Sequence, residues 1–478
     1  CVMGAGFGGI STALEVRRRG FTRMIVLERA AGPGGVWLAN QYPEARCDNP
    51  SALYSLARHG FSWRGRYGDR VEIQGYLADV VRKAGLERCI RYGRAVTSAR
   101  FRSESTDWEV QTAAGELFRA DYLISAVGQL AEPRQPNLDG RDLFRGVQFH
   151  SARWPDSLDV NGLRVGVIGT GASAAQLVPW LQRHAASLTV FQRNAAWVLP
   201  KSDVRYSARR TALAAWSPVR AVERAVVYAL CELFILSVTS APVGSRWVAR
   251  MARDHLRRHV SDPVLRQTLT PDYPVGGKRC VFSDAFYPAL AAPNCTVVTD
   301  RISAITESGV ATEAGDQLDL DLIVYCTGFT PTDFLSTVEV SGRSGKSLTD
   351  HWALGAKAYL GVATSEFPNL FFVAGPNTNL TFGSVVFMLE CQARYIGSLL
   401  SHAARTRVAL MEVRPEAEQA FGDWLRTRFT GSVWSRVSSP YKDHHGTVSS
   451  LWPRTMTQYW WLTRRPRLSD FVTSRRQL

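Results

Sequence analysis

Two glycine-rich turns carry the residues whose spacing most clearly indicates chemistry. Gly4, Gly6 and Gly9, with Phe7 among them as a further expected cofactor contact, lie between a short apolar stretch and an amphipathic run that opens at Ser11. A strand, such a turn and a helix together form a dinucleotide site, because glycine allows the tight turn and lets backbone approach a pyrophosphate. The unpaired N–H groups of the helix N-terminus then face the phosphates. Glu28 ends the next apolar stretch and can accept hydrogen bonds from a ribose.

The second turn reads Gly169, Thr170, Gly171, with Ser173 in the following run and Ala174 at the third glycine position. Its next strand ends in Arg193 and carries no acid. An acid there would repel the 2′-phosphate of NADP, whereas arginine can bind it through charge-assisted hydrogen bonds. We therefore predict that this site prefers NADPH to NAD; the alternative is that Arg193 is an ordinary surface charge.

Two dinucleotide sites in one chain suit a resident redox cofactor and its electron donor. The segment GPGGVW, which contains Gly35, Val36 and Trp37, follows Glu28 closely and is typical of flavin-binding chains. The first site is therefore expected to hold FAD and the second NADPH. No CxxC or CxxxxC pair is present, which argues against a flavin disulfide reductase.

These sites require an α/β fold with two Rossmann-like dinucleotide-binding domains, because each turn lies in a strand–turn–helix–strand unit and each unit has a later return strand. The return strands are DYLISAVGQ near Asp121 and DLIVYCTGF near Asp321, so the second domain is inserted in the first. A segment rich in arginine and alanine adds a helical insertion. The expected units are the first segment of the FAD-binding domain at 1–140, a linker at 141–160, the first segment of the NADP-binding domain at 161–200, the helical insertion at 201–269, the second segment of the NADP-binding domain at 270–325, and the second segment of the FAD-binding domain with the C-terminal tail at 326–478.

The composition limits the possible partners. The formal net charge is +15, which suits an anionic cofactor, a membrane surface or nucleic acid. No dense basic run with interleaved aromatic residues is present, so a nucleic-acid partner is not expected. The eight cysteines show no metal-type spacing, and their dispersal predicts reduced thiols in a cytoplasmic protein without a metal site.

The apolar run from Ala225 to Ala241 is shorter than a membrane span and contains Glu232 near its middle. We interpret it as a buried or interfacial helix. Peripheral membrane contact is the less favoured interpretation. The chain opens at Cys1 on residues that resemble the end of a strand, so we expect a few residues to precede it, and a targeting signal among them stays open.

The segment FRGVQFHSARWPD adds a more specific pattern. Phe144, Gly146, His150, Trp154 and Pro155 match the sequence Phe-x-Gly-x-x-x-His-x-x-x-Trp-Pro. With the two turns, this pattern resembles that of the Baeyer–Villiger monooxygenases, which are class B flavoprotein monooxygenases. The similarity extends over nearly the whole chain and includes YPEARCD, PDYPVGGKR and GPNTNL. The last two are most similar to the branch that acts on aryl ketones such as hydroxyacetophenone.

The resemblance implies roles for individual residues. Arg279 is the expected catalytic residue, which stabilises an anionic C4a-peroxyflavin that attacks a ketone, and Asp48 pairs with it beside the flavin. The resemblance further assigns Arg193 and Lys278 to the 2′-phosphate of NADP. The remaining expected FAD contacts are Trp37, Tyr54, Val96, and the segment containing Gly375, Asn377 and Asn379.

Four residues depart from the family pattern: Glu44 stands where glycine is usual, Val36 and Asn194 where threonine is usual, and Pro440 where many members have tryptophan.

The resemblance implies a monooxygenase that uses NADPH and O2 to convert a ketone into an ester or lactone. Two alternatives stay open, a heteroatom oxygenase that makes sulfoxides or N-oxides and an uncoupled NADPH oxidase. His150 is expected to couple the two domains, with Trp154, rather than to act as an acid or base.

Overall fold

The computed structural model describes residues 1–239 and 242–475. Within them the α-helices are α1 Phe7–Arg18, α2 Val36–Ala39, α3 Arg70–Lys83, α4 Ala172–His184, α5 Ala208–Ala215, α6 Ser217–Thr239, α7 Pro242–His259, α8 Pro263–Thr268, α9 Phe286–Leu290, α10 Leu348–His351, α11 Val385–Thr406, α12 Pro415–Phe429 and α13 Met456–Thr463.

The strands are short, and most are two to five residues long. They are β1 Val2–Met3, β2 Val26–Leu27, β3 Ile90–Arg91, β4 Val96–Arg102, β5 Asp107–Thr112, β6 Leu117–Ala120, β7 Leu123–Ser125, β8 Val147–His150, β9 Arg164–Ile168, β10 Ser187–Phe191, β11 Val198–Leu199, β12 Val281–Phe282, β13 Cys295–Val298, β14 Ile302–Ile305, β15 Gly309–Thr312, β16 Gln317–Asp319, β17 Leu322–Tyr325, β18 Glu339–Ser341, β19 Leu370–Phe372, β20 Val408–Val413 and β21 Phe471–Arg475.

Two parallel five-stranded sheets organise the chain. The first has the order β19-β7-β1-β2-β3 and the second the order β13-β10-β9-β17-β8. The first sheet begins at β1 and is completed by β19, after all strands of the second sheet have been used. The second domain is therefore inserted in the first, and both return strands, β7 and β17, lie beside the first strand of their unit. The α/β fold with two Rossmann-like domains is confirmed.

The two segments that join the domains run side by side. The Arg134 N–H donates to the Gly328 carbonyl at 2.8 Å, and the Thr327 hydroxyl donates to the Arg134 carbonyl at 2.5 Å. Pro133 and Phe329 form an antiparallel bridge between the same segments. Residues 132–134 and 327–330 thus form a short two-stranded crossover ribbon.

The segment expected to be a linker, 141–160, differs from the structure. Its residues Val147–His150 form β8, which pairs in parallel with β17 at the edge of the second sheet. Only four residues pair, and their side chains change from exposed at Val147 to buried at His150. The sequence therefore lacks the alternation of polar and apolar residues that would predict a strand. The crossing from the first domain lies earlier, at the ribbon.

The expected helical insertion comprises α5 to α8. Its inner residues Ile235, Val238 and Val248 belong to one apolar cluster with the C-terminal tail, which contributes Trp434 and Trp452. Among the described residues no single helix has the length and apolar composition of a membrane span, and one pair, Ser217–Thr239 with Val243–His259, passes that test only jointly, across a bend of 102°.

Candidate active site

The first glycine turn has the steric properties of a phosphate cradle. Gly4 has a φ of 102°, and a Cβ there would lie 2.6 Å from the Ala126 carbonyl oxygen. A Cβ at Gly9 would lie 1.8 Å from the Gly4 carbonyl oxygen, so only glycine lets α1 pack this closely on the turn. Gly6 begins the helix without a side-chain cap. The N–H groups at the start of α1 are therefore available to a phosphate, as FAD requires.

Glu28 follows β2 and is fixed on both sides. One carboxylate oxygen accepts the Ala5 N–H at 2.5 Å, and the other accepts the Ala30 N–H at 2.8 Å. Each oxygen keeps a lone pair, which suits the ribose hydroxyls. Val96 begins β4, two residues beyond Arg94, whose N–H donates to the Glu28 carbonyl at 2.8 Å. The start of β4, with Val96, therefore lies close to Glu28 at the end of β2.

The GPGGVW segment packs against Tyr54. Gly35 precedes α2 with a φ of 56°, and Val36 opens the helix. The Trp37 indole N–H donates to the Tyr54 hydroxyl at 3.1 Å, and Phe7 meets the same ring edge-on at 5.1 Å. Burial raises the pKa of Tyr54 well above its ordinary value, so its hydroxyl stays protonated. The sequence-predicted FAD residues of this region therefore form one contiguous wall.

The second glycine turn repeats the first with a more open helix start. Gly169 has a φ of 113°, and a Cβ there would lie 2.5 Å from the Cys326 carbonyl oxygen. Nothing lies within 4 Å of a Cβ placed at Gly171, which precedes α4. The Thr170 hydroxyl donates to the Asn194 carbonyl at 3.0 Å and holds the turn against the end of β10. Ser173 lies near the Tyr42 hydroxyl, toward the first domain.

Two cations converge beside this turn. Lys278 Nζ donates to Asn194 Oδ1 at 3.1 Å and lies 4.6 Å from the centre of the Tyr273 ring. Burial, followed by the charge of Arg193, lowers the pKa of Lys278, so the two side chains are near enough to repel each other. An anion bound between them would relieve that repulsion. The pair therefore fits the 2′-phosphate of NADP.

Asp48 lies where the two domains meet and is shared by two cations. Its carboxylate is 6% exposed; one oxygen lies 3.7 Å from Lys201 Nζ and the other 3.8 Å from Arg279 Nη2. The predicted pair of Asp48 and Arg279 is thus brought together. Lys201, itself 8% exposed, had no signal in the sequence, because it is an isolated lysine 153 residues from Asp48.

Arg279 combines an internal position with an accessible side chain. Burial lowers the pKa of its guanidinium, but neighbouring groups, Asp48 foremost, outweigh burial and raise it. The Tyr441 hydroxyl lies near the Arg279 backbone, and burial raises the pKa of Tyr441 to about 12. Even so, 40% of the arginine side chain is accessible, so it borders an internal cleft. A permanent, accessible positive charge results.

Gln176 on α4 docks the loop that carries Asp48. Its Oε1 accepts the Tyr42 hydroxyl at 3.0 Å and the Arg46 N–H at 3.1 Å. Its Nε2 donates to the Arg46 carbonyl at 2.8 Å and approaches Asp48 Oδ1 at 3.4 Å. Sequence reasoning missed this residue, since an amide within a helix has no pattern that reveals a partner 130 residues away.

The segment from Gly375 to Asn379 is tied to the C-terminal tail. The Asn377 amide donates to the carbonyls of Val448 and Leu451, at 2.8 and 3.1 Å. The Asn379 N–H donates to the Ser450 carbonyl at 3.0 Å. The side-chain N–H groups of Asn377 therefore hold the tail, and Tyr441 belongs to that tail. Pro440 is exposed beside it.

His150 bonds to backbone through both ring nitrogens. Nδ1 accepts the Ala152 N–H at 3.1 Å, so the neutral ring carries its proton on Nε2 and donates it to the Gly328 carbonyl at 3.0 Å. Burial lowers the pKa of His150, which favours this neutral form. Its bond to Gly328 fastens β8 to the crossover ribbon. Trp154 instead packs edge-on against Phe149 and Trp180, inside the second domain.

The described cysteines are all free, and no cluster of metal-ligating side chains is found among the described residues. The model of the family described as pyridine nucleotide-disulphide oxidoreductase matches residues 1–217. The matched residues include both glycine turns, and the chain has no CxxC or CxxxxC pair.

Curated relatives are similar over nearly the full length. A Baeyer–Villiger monooxygenase of Pseudomonas aeruginosa is 35% identical, covering 97% of this chain and 89% of its own. An FAD-binding monooxygenase of Aspergillus niger is 34% identical over 98% and 81%. A phenazine N-monooxygenase of Lysobacter antibioticus is 32% identical over 92% and 88%.

Solved structures agree in the whole fold. An oxidised steroid monooxygenase bound to NADP superposes with a TM-score of 0.88 at 30% identity, covering 99% of this chain and 98% of its own. A cyclohexanone monooxygenase from Rhodococcus sp. Phi1 bound to NADP+ gives a TM-score of 0.89 at 27% identity, with the same coverage. The fold and the two turns define a flavin monooxygenase that binds FAD and NADP(H). The chain belongs to the Baeyer–Villiger monooxygenase family.

Proposed function

We propose that the protein uses NADPH and O2 to insert one oxygen atom beside a ketone carbonyl, giving an ester or a lactone. The observation that carries the proposal is the divergence of two consecutive side chains. Lys278 points to the second glycine turn, and Arg279 points to Asp48 and lies near Tyr54, which packs on Phe7 of the first. One short segment therefore contacts the region of the electron donor and places a guanidinium near the flavin.

The overall reaction is balanced as ketone, NADPH, a proton and O2 giving ester, NADP+ and water. FAD, held by the first glycine turn and Glu28, would supply the redox chemistry, which moves two electrons from NADPH to O2. Arg279 supplies a positive charge where anionic oxygen develops, both on the attacking oxygen and on the substrate carbonyl. Arginine suits this role because it stays charged and presents a rigid fork of donors. Asp48 orients that fork from its buried position.

On the NADPH side, Arg193 and Lys278 select the cofactor. Their mutual repulsion falls when a 2′-phosphate lies between them, and the same gain is not available from NADH. The uncapped start of α4 holds the pyrophosphate. Gln176 fixes the Asp48 loop against this helix, so the residues that bind the donor and those that orient Arg279 belong to one connected set.

A second candidate is oxidation of nitrogen or sulfur, which the similarity to a phenazine N-monooxygenase favours. Transfer of oxygen to a heteroatom does not need an anionic attacking oxygen. Arg279 therefore discriminates between the two, since its charge should matter far more for ester formation than for N- or S-oxidation.

The test supplies NADPH and ¹⁸O2 with a panel of aryl and cyclic ketones and a parallel panel of amines and sulfides. We expect ester product that carries one labelled oxygen. Arg279→Ala should keep FAD bound and lower ester formation by about 100-fold or more, while Arg279→Lys retains a fraction of the activity. Ester formation by Arg279→Ala at the unaltered rate would refute the mechanism. NADPH consumption with no labelled product from either panel would indicate an oxidase.

A further inference from the structure

The outer face of α6 is apolar over four turns. Between residues 221 and 236, every residue of this helix whose side chain is largely exposed is apolar, and these residues are Ala221, Val222, Ala225, Val226, Ala229, Leu230, Leu233 and Leu236. Their spacing places them along one side of the helix. Leu230 and Leu233 are 60% and 61% exposed. We call this set the apolar stripe.

The polar side chains of the same helix face the protein and fix its orientation. Arg224 pairs with Glu390 at 3.0 Å. Glu232 accepts the Met456 N–H at 2.7 Å and the Thr457 N–H at 3.3 Å, and so caps the start of α13. Arg224 lies across the helix from the apolar stripe and Glu232 lies at its margin, so rotating the helix to bury the stripe would break both contacts. The sequence-based reading of this run as a buried helix is therefore wrong for its outer face, whereas the interfacial reading fits.

The adjacent helix α7 presents positive charge. Arg246, Arg250, Arg253 and Arg257 are exposed at intervals of four, three and four residues, which places them on one side. We call them the arginine stripe. The only acid in α7 is Asp254, 3.8 Å from Arg250 and 3.2 Å from Arg257, so the stripe keeps a net positive charge.

The helices that carry the two stripes meet at their ends. A Cβ at Gly244 would lie 2.5 Å from the Ser237 carbonyl oxygen, so the start of α7 packs on the end of α6. Val243 and Trp247 are exposed at this junction, and Trp216 is exposed just before α6. Tryptophan is enriched where an apolar phase meets polar headgroups. Exposed tryptophans therefore lie just before α6 and near the start of α7, and the arginine stripe follows on α7.

We propose that this face docks the protein on a surface of anionic phospholipid. The apolar stripe enters the boundary between headgroups and acyl chains, and the arginine stripe binds phosphate groups. The net charge of +15 favours the same encounter. A second copy of the chain fits this face less well. In a symmetric dimer the same patch lies on both sides of the interface, so two arginine stripes would lie in one interface.

The test is flotation of the FAD-loaded protein with vesicles. Recruitment is expected on phosphatidylcholine vesicles that contain phosphatidylglycerol, much less on phosphatidylcholine alone, and added salt should weaken it. Arg250→Gln should weaken binding about fivefold, and Leu230→Ser combined with Leu233→Ser about tenfold or more.

Matched controls are Leu354→Ser, at a leucine 84% exposed outside both stripes, and Arg301→Gln, at an exposed arginine between β13 and β14. Neither should change vesicle binding, and all variants should keep their FAD content and NADPH oxidation. Absence of recruitment, or equal losses in the control variants, would overturn the proposal. Light scattering tests whether a second copy of the chain occupies the face instead. If the protein is a dimer that the double leucine variant dissociates, and it does not bind vesicles, the face belongs to a second copy and the proposal is overturned.

Discussion

Replacing Lys201 by methionine tests whether the two cations around Asp48 act as a unit. Lys201 Nζ lies 3.7 Å from Asp48 Oδ1, and both side chains are buried. At an effective dielectric constant of about 20, unit charges at this distance attract by roughly 4–5 kcal/mol. Removing the lysine also removes the cost of burying its charge, and Arg279 remains as a partner. We expect the free energy of unfolding to fall by about 2–3 kcal/mol.

The same variant should also lower activity, because Asp48 then attracts Arg279 alone and draws it away from the cleft. Ester formation should fall while the KM for NADPH stays unchanged, since the Arg193 and Lys278 pair is untouched. Lys201→Arg retains the charge and serves as the matched control. Thermal and denaturant unfolding of the FAD-loaded protein, followed by flavin fluorescence, gives the stability.

A double-mutant cycle with Asp48→Asn tests whether Lys201 acts through Asp48. If Lys201 acts through Asp48, removing the carboxylate should cancel most of the loss caused by Lys201→Met, with a coupling energy of about 2 kcal/mol. A coupling below about 0.5 kcal/mol would mean that Lys201 acts through its packing beside Tyr67 instead, and the shared-carboxylate reasoning would be refuted.

Three further predictions follow from the same geometry. Arg193→Ala should raise the KM for NADPH about tenfold or more with little change for NADH, and an unaltered preference in steady-state kinetics would place the phosphate elsewhere. Glu44 has a φ of 62°, in the region that favours glycine, so Glu44→Gly should be more stable than Glu44→Ala by about 1 kcal/mol in denaturant unfolding; equal stabilities would contradict the strain. Gln176→Leu should lower the rate of ester formation with FAD content unchanged, because the Asp48 loop loses its anchor on α4, whereas Gln182→Leu on the same helix should not.

The sequence predicted those features of the fold and site that depend on local pattern. The glycine turns, the return strands and the insertion of one domain in the other follow from residues adjacent in the chain. The sequence also singled out Glu44, because it stands where the family usually has glycine. In the structure its backbone is left-handed, the conformation that favours glycine.

The contacts that cross the domains could not be predicted in this way. Lys201 and Gln176 reach Asp48 from 153 and 128 residues away, and neither type of residue carries a pattern that names its partner. The sequence left α6 open between a buried and an interfacial helix for a different reason. Hydropathy measures how apolar a helix is, but only contacts such as the Arg224–Glu390 pair reveal which side faces the protein.

The crossover ribbon limits how the two domains can move. Paired antiparallel segments bend readily out of the plane of the pair and resist bending within it, so the ribbon allows rotation about essentially one axis. His150 reinforces it through Gly328. Lys278 and Arg279 lie in the second domain, so they would move together in such a rotation. The distance between Arg279 and Asp48, 3.8 Å in this structure, would then change with a single angle, so the ribbon would set how the two halves of the site meet.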